Sequence, residues 1–252
     1  MQNDVQEFIK KLNAREFSKG EREKFLDFIE LAFCAFAKPM MEEEAGDKLE
    51  ARYMQIVNNY RDKDAVRAYP ELIGMVAKNV PHSDFLGEVA GTIGALNSSQ
   101  GQFFTPYCIS RLMAEMTFGE KESIIETQGY ITLQEPACGG GGMILAFAET
   151  MLNRGYNPCE QLFVQVIDVS SACYWMTFLQ LTLAGIPAQV VHGNTLTLET
   201  FDSVYTRSAV RFFGLHRNIF EKREIQPLQP ESKNDNSLLA LNPLQGKQLA
   251  LF

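Results

Sequence analysis

The sequence predicts an α/β fold: a partial, parallel, doubly wound sheet preceded by an N-terminal helical domain. Three observations carry this. Between Tyr130 and His192, short apolar runs rich in β-branched residues alternate with helical runs as strand, helix, strand, helix, strand, the pattern of a parallel sheet with crossover helices. Four consecutive glycines, Gly139 to Gly142, stand between the first strand and its helix. Residues 1–80 read as helical.

In chain order, Ser18 and Glu21 have capping-box spacing ahead of an apolar run from Phe25 to Phe36, predicting a capped and buried helix. Pro39 ends it, and Glu42 to Glu44 read as a solvated turn or first helical turn. Further helices are expected near 47–60 and 70–79, the second broken at Pro81. Asp84-Phe85-Leu86-Gly87-Glu88 opens the next segment, which closes in the loop Asn97 to Gln100. In Gly101-Gln102-Phe103-Phe104-Thr105-Pro106, Thr105 can cap a helix whose first residue is Pro106. Phe103 and Phe104 are either core or an aromatic ledge beside a ligand.

Tyr130 to Glu135 is the first strand, and Met143 to Met151 the helix after the glycines. Glycines there allow positive φ and close approach of backbone to a ligand, and the helix N-terminus offers free N–H groups. No Lys-Ser/Thr follows the glycines, which excludes a Walker-type phosphate loop. Leu162 to Asp168 is a buried strand ending in an acid, Ser170 caps a helix through Leu183, and Gln189 to His192 is the third strand. Phe201 to Tyr205 can form a fourth. Residues 221–247 read as a flexible polar tail holding Pro227, Pro230 and Pro243. The organisation expected is a helical domain over 1–83, the α/β core over 84–220 and the tail over 221–252.

The chain has 252 residues, 46% of them apolar, and a formal charge of −8, which argues against a surface that is a nucleic-acid footprint throughout. A local basic patch remains open: Arg207, Arg211 and Arg217 cluster near Phe212, Phe213 and His216. This cluster suits nucleic acid or simply a helix with a basic face. The five cysteines form no C-x-x-C pair, so a zinc site is not expected and reduced cytoplasmic thiols are. No apolar run reaches the roughly 18 residues of a membrane span.

Three strand ends carry matched chemistry: Glu135 with the glycines, Asp168, and Asn194. A glycine loop gives backbone access, an acid after the second strand can accept from ribose hydroxyls, and an amide after the third can meet an adenine edge. Together they predict a nucleoside-cofactor crevice.

With these residues the chain resembles the adenine-N6 DNA methyltransferases, in particular the modification subunits of type I restriction systems and their plasmid and phage relatives. The resemblance covers about residues 84–200. Gly101 to Pro106 is similar to the family's motif beside the methionine part of S-adenosylmethionine, and Glu135 to Met143 to its glycine motif, normally headed by Asp. Asp168 resembles the ribose-binding acid, and Gly193-Asn194-Thr195-Leu196 the family's Gly-Asp-Thr-Leu. The resemblance implies a Rossmann-like core and S-adenosylmethionine as cofactor, held by Phe103, Thr105, Pro106, Glu135, Ala137, Gly139, Gly141, Asp168 and Asn194.

The family's catalytic element, Asn/Asp-Pro-Pro-aromatic after the fourth strand, is not found. Thr206-Arg207-Ser208 follows Tyr205, and the later Asn242-Pro243 lacks the second proline and the aromatic. No catalytic residue is therefore assigned. The sheet's second half does not fit in the residues after Tyr205, so a partner, a second copy or the N-terminal helices are expected to cover the exposed edge. The terminal Gln248-Leu249-Ala250-Leu251-Phe252 resembles the bacterial sliding-clamp-binding pentapeptide, with Gln248, Leu249, Leu251 and Phe252 as anchors. The functions expected are an S-adenosylmethionine-binding adenine-N6 DNA methyltransferase, a non-catalytic accessory of the same fold, or a methyltransferase for another substrate.

Overall fold

In the computed structural model, the described residues are 2–80, 82–95, 104–119 and 121–216, together with the backbone of 248–250. Phe103, Arg217, Leu251 and Phe252 lie outside them.

The N-terminal part comprises α1 (Gln2–Asn13), α2 (Glu21–Ala37), α3 (Glu43–Asn58), α4 (Lys63–Arg67) and α5 (Tyr69–Asn79). The capping box is not formed. Gly20 stands at the N-cap of α2, and the Ser18 hydroxyl donates to Glu16 instead. The Glu16 carboxylate also accepts from the backbone of Arg61 and Asp62, and this loop-to-loop demand outweighs the local cap. Pro39 ends α2 in a 3-10 turn, Lys38–Met40, and Glu43 and Glu44 fill the first turn of α3.

The core follows as α6 (Phe85–Thr92), α7 (Tyr107–Phe118), α8 (Glu122–Gln128), β1 (Ile131–Glu135), α9 (Gly142–Asn153), α10 (Pro158–Gln161), β2 (Leu162–Asp168), α11 (Ser171–Leu183), β3 (Ala188–Asn194), β4 (Glu199–Tyr205), α12 (Arg207–Leu215) and β5 (Gln248–Ala250). Pro106, not Thr105, is the N-cap of α7. Ser170 is the N-cap of α11 but makes no side-chain bond to it.

The sheet order is β4-β3-β2-β1-β5. β1 pairs in parallel with β2 and β5, and β2 with β3, whereas β4 turns back antiparallel on β3. Thr206 locks this return: its backbone N–H donates to the Ala188 carbonyl, and its buried hydroxyl donates to Ile186 O at 2.8 Å and accepts from Ala188 N at 2.9 Å. The edge of β1 is covered by the chain's own tail, Thr132 opposite Gln248 through Gln134 opposite Ala250. The sequence predicts a partner, a second copy or the N-terminal helices at the sheet's exposed edge; along Thr132 to Gln134 the chain's own β5 occupies it.

The period of two along each strand assigns the faces. Ile131, Leu133, Leu162, Val164, Val166, Ala188 and Val190 belong to the main core, which runs without a break into the N-terminal helices. On the other face Phe163 packs with Ala209 and Phe212 of α12. Beside it Gln134 donates to Gln165 at 3.0 Å and Gln165 to Gln189 at 2.9 Å. This amide ladder satisfies half-buried polar groups where a doubly wound sheet would carry more helices.

Candidate cofactor site

The site lies at the carboxyl end of β1. Gly139 and Gly141 have φ of +55° and +90°, left-handed values that a side chain rarely adopts. Gly140 and Gly142 are needed for a different reason. A Cβ at either would stand 2.8 or 2.7 Å from the carboxylate of Asp84.

The loop between β1 and α9 is held on every side. Cys138 N donates to Ile167 O at 3.0 Å, and Gly139 N to Asp168 Oδ2 at 2.9 Å. Thr177 of α11 donates to Gly139 O at 2.8 Å, and Gln180 to Gly140 O at 2.6 Å. The Thr195 hydroxyl, just past β3, donates to Pro136 O at 2.6 Å. The ends of β1, β2 and β3 are thus tied to one loop, which preorganises it for a ligand.

Around it lies a cavity of about 340 Å³, lined by Asp84, Phe104, Thr105, Ser110, Met113, Glu135, Ala137, Cys138, Gly139, Gly140, Gly142 and Met143. Its size suits a small-molecule site, and its wall is mixed, with Phe104, Met113 and Met143 beside the hydroxyls of Thr105 and Ser110 and two carboxyl groups. Among these lining residues are two carboxylates and no basic side chain. Burial raises the Glu135 carboxyl to about 7, partly offset by a hydrogen bond from Ala137 N, with a further upward push from the charge of Asp168. Burial also raises Asp168, against hydrogen bonds from Ser170 N and Gly139 N.

Of the residues expected to hold a cofactor, Thr105, Glu135, Ala137 and Gly139 line this cavity. Gly141 shapes the loop from behind, its φ of +90° setting the turn into α9. Pro106 is the N-cap of α7, next to Thr105 in the chain. Asp168 stands behind the loop, Oδ1 accepting from Ser170 N at 2.8 Å and Oδ2 from Gly139 N. A second cleft, about 650 Å³, begins at Val169 and Ser170 and reaches Arg22, Arg52, Trp175 and His192. Asn194 caps its own turn, its Oδ1 accepting from Leu196 N at 3.0 Å and Thr197 N at 3.3 Å.

The sequence does not single out Asp84, Ser110, Met113 or Met143; of the two aromatics it offers as core or ledge, Phe103 lies outside the described residues and Phe104 lines the cavity. The Phe104 ring lies 3.0 Å from where a Cβ on Gly139 would be, so it meets the loop. Asp84 stands in the sequence only as the first residue of Asp84-Phe85-Leu86-Gly87-Glu88; in the structure it is the N-cap of α6, accepting from Gly87 N, and its burial against the glycines needs the tertiary structure. Of the basic cluster, Arg207 and Arg211 are exposed on α12, and Arg211 is paired with Glu160.

A glycine loop between a parallel strand and a helix, with an acid after the second strand bonded to the loop, defines the cofactor half of an S-adenosylmethionine-dependent methyltransferase core. A family model described as N-6 DNA Methylase matches residues 85–212, half of the chain, and the chain belongs to that family. The family implies S-adenosylmethionine as its cofactor. Two solved structures are similar to it at low identity. One is a protein from Listeria monocytogenes described as a class I S-adenosylmethionine-dependent methyltransferase, at 16% identity and a TM-score of 0.35, covering 75% of this chain and 52% of that one. The other is the methyltransferase subunit of a type I restriction-modification system from Streptococcus thermophilus, at 12% identity and a TM-score of 0.33, covering 73% and 55%. The chain spans about half the length of each. No curated protein matches it significantly.

Proposed function

We propose that this chain is the S-adenosylmethionine-binding part of an adenine-N6 DNA-modifying system and does not transfer the methyl group on its own. The observation that carries the first half is the tied glycine loop over the 340 Å³ cavity. The residues fit the cofactor: positive-φ glycines leave backbone open to it, Phe104 and the methionines offer apolar wall, and the carboxylates offer acceptors. Thr105, Glu135, Ala137 and Gly139 would contact it, and Phe103 and Pro106, flanking Phe104 and Thr105 in sequence, belong to the same set. Asp168 and Asn194 would face its ribose and adenine through lone pairs and amide hydrogens not used within the loop. The cofactor supplies a sulfonium-bound methyl group. The chain's own residues orient it and exclude water.

The second half rests on β4. In the family the strand after the third carries the catalytic element beside the first. Here that segment turns back on β3, and the residue after it, Thr206, is buried and spent on backbone bonds. The slot beside β1 is taken by β5. An adenine-binding element would then come from a partner or a second copy, which the half-covered second sheet face can receive. DNA contact through Arg207, Arg211 and Arg217, capture by a bacterial sliding clamp through Gln248, Leu249, Leu251 and Phe252, and a cytoplasmic setting belong to the same reading.

The test is methyl-labelled S-adenosylmethionine with adenine-containing DNA, using the purified chain with and without host extract. The reading expects label in DNA only with extract. Label transferred by the purified chain alone would overturn its second half.

A further inference from the structure

The cavity contains an acid that no other part of the site uses. Asp84 is 5% exposed and caps α6. Both of its hydrogen bonds fall on one oxygen: Oδ1 accepts from Gly87 N at 3.0 Å and from Gln180 Nε2 at 2.7 Å. Oδ2 receives no hydrogen bond from a described residue. It lies against the glycine loop, 2.7 Å from where a Cβ on Gly142 would stand, and Asp84 lines the cavity.

Gln180 cannot turn to serve this oxygen. Its Nε2 is divided between Asp84 Oδ1 and Gly140 O, and its Oε1 accepts from Leu86 N at 3.1 Å. Among the described lining residues there is no basic side chain that could take the place of a ligand. Thr182 Oγ1 is the one fully buried side-chain polar atom without a partner among the described residues, so Oδ2 is not such a sealed atom, and Asp84 lines the cavity. A carboxylate in so buried a residue is costly to hold without a donor, and burial raises the Asp84 carboxyl above its ordinary value. Whatever fills the cavity is therefore favoured if it brings a cation with N–H bonds.

We infer that Asp84 is a specificity residue of this site, its free oxygen accepting a charge-assisted hydrogen bond from a primary ammonium group of the ligand. Resting on the cofactor reading above, that group is the α-ammonium of S-adenosylmethionine. The sulfonium is the ligand's other positive centre, but it has no hydrogen to donate and cannot satisfy Oδ2. Gly140 and Gly142 follow from the same device. Without side chains, they let the carboxylate reach through the loop to the ligand.

The experiment compares binding of S-adenosylmethionine and its desamino analogue, which keeps the sulfonium and carboxylate, to the full chain and to Asp84→Asn. The parent is expected to bind the desamino analogue about tenfold or more weakly, the size of a charge-assisted hydrogen bond. Asp84→Asn is expected to lose a similar factor for S-adenosylmethionine and little for the analogue, the non-additivity of two groups in contact. Equal binding of the two ligands by the parent would overturn the inference, even if the variant does not fold. So would an equal loss for both ligands in Asp84→Asn, which marks a structural role only. A parent that binds neither ligand would instead refute the cofactor reading on which the inference rests.

Discussion

Glu135 shows how a single residue of this site couples to pH. It ends β1, is 8% exposed and accepts from Ala137 N at 3.2 Å. A glutamate at its ordinary value of 4.5 is raised to about 7 here, chiefly by burial. The folded chain therefore holds this proton more tightly than the unfolded one. Its contribution to stability is fully present below about 4.5 and is lost as pH rises through about 7. Glu135→Gln keeps the acceptor for Ala137 and removes the titration. The variant should gain on the parent between pH 5 and pH 8, by at most about 3 kcal/mol. Urea unfolding of both proteins at the two pH values reads this difference. Parallel stability curves would show that Glu135 ionises without cost.

At the scale of elements, the tail is where structure and sequence part. Gln248-Leu249-Ala250 stands in the sequence as the start of a terminal peptide motif, and in the structure as β5, in parallel register on β1. Three residues are too few to read as a strand, and the backbone groups they satisfy belong to β1, more than a hundred positions earlier. The two roles can only alternate, because a peptide paired with β1 must leave the sheet before it can lie in the groove of a clamp. Deleting residues 248–252 uncovers the edge of β1, a row of unpaired backbone groups that favours association. The shortened chain should unfold at lower urea and self-associate in sedimentation, and it should no longer be captured by a sliding clamp. An unchanged midpoint in a monomeric shortened chain would show that β5 contributes nothing to the sheet. Equal clamp capture of both forms would remove the peptide motif.

Other elements were legible because their causes are local. The alternation from Tyr130 to His192 gave β1, α9, β2, α11 and β3, with β2 found at its full length, Leu162–Asp168. Pro39 and Gly185 mark helix ends by their own backbone chemistry. The return of β4 antiparallel to β3 was not legible. It depends on Thr206 bridging Ile186 and Ala188, and a lone threonine after an apolar run does not announce that.

For the molecule as a whole, the helical segment and the α/β core share one hydrophobic cluster. Phe33 of α2 packs on Tyr174 and Phe178 of α11, with ring centroids 4.9 and 5.1 Å apart, and Phe8 of α1 meets Phe85 of α6 edge-on at 5.6 Å. The N-terminal helices thereby buttress α6 and α11, the two elements that hold Asp84, Thr177 and Gln180 against the glycine loop. The residue types of the crevice, Glu135, the glycines and Asp168, could be read along the chain because they sit at strand ends. Its far wall could not, because Asp84 and Phe104 reach it only through the packing of α6 and α7. Among the described residues no helix is long and apolar enough to cross a membrane.

The central claim is that the tied glycine loop is an S-adenosylmethionine site with Asp168 as its keystone. Isothermal titration of S-adenosylmethionine into the full chain and into Asp168→Ala tests it most directly. The variant loses the acceptor for both Gly139 N and Ser170 N. Saturable one-site binding to the parent is expected, weakened about tenfold or more in Asp168→Ala, the size of one lost hydrogen bond to a charged group. A folded parent that gives no binding heat, or a variant that binds as tightly as the parent, would contradict it.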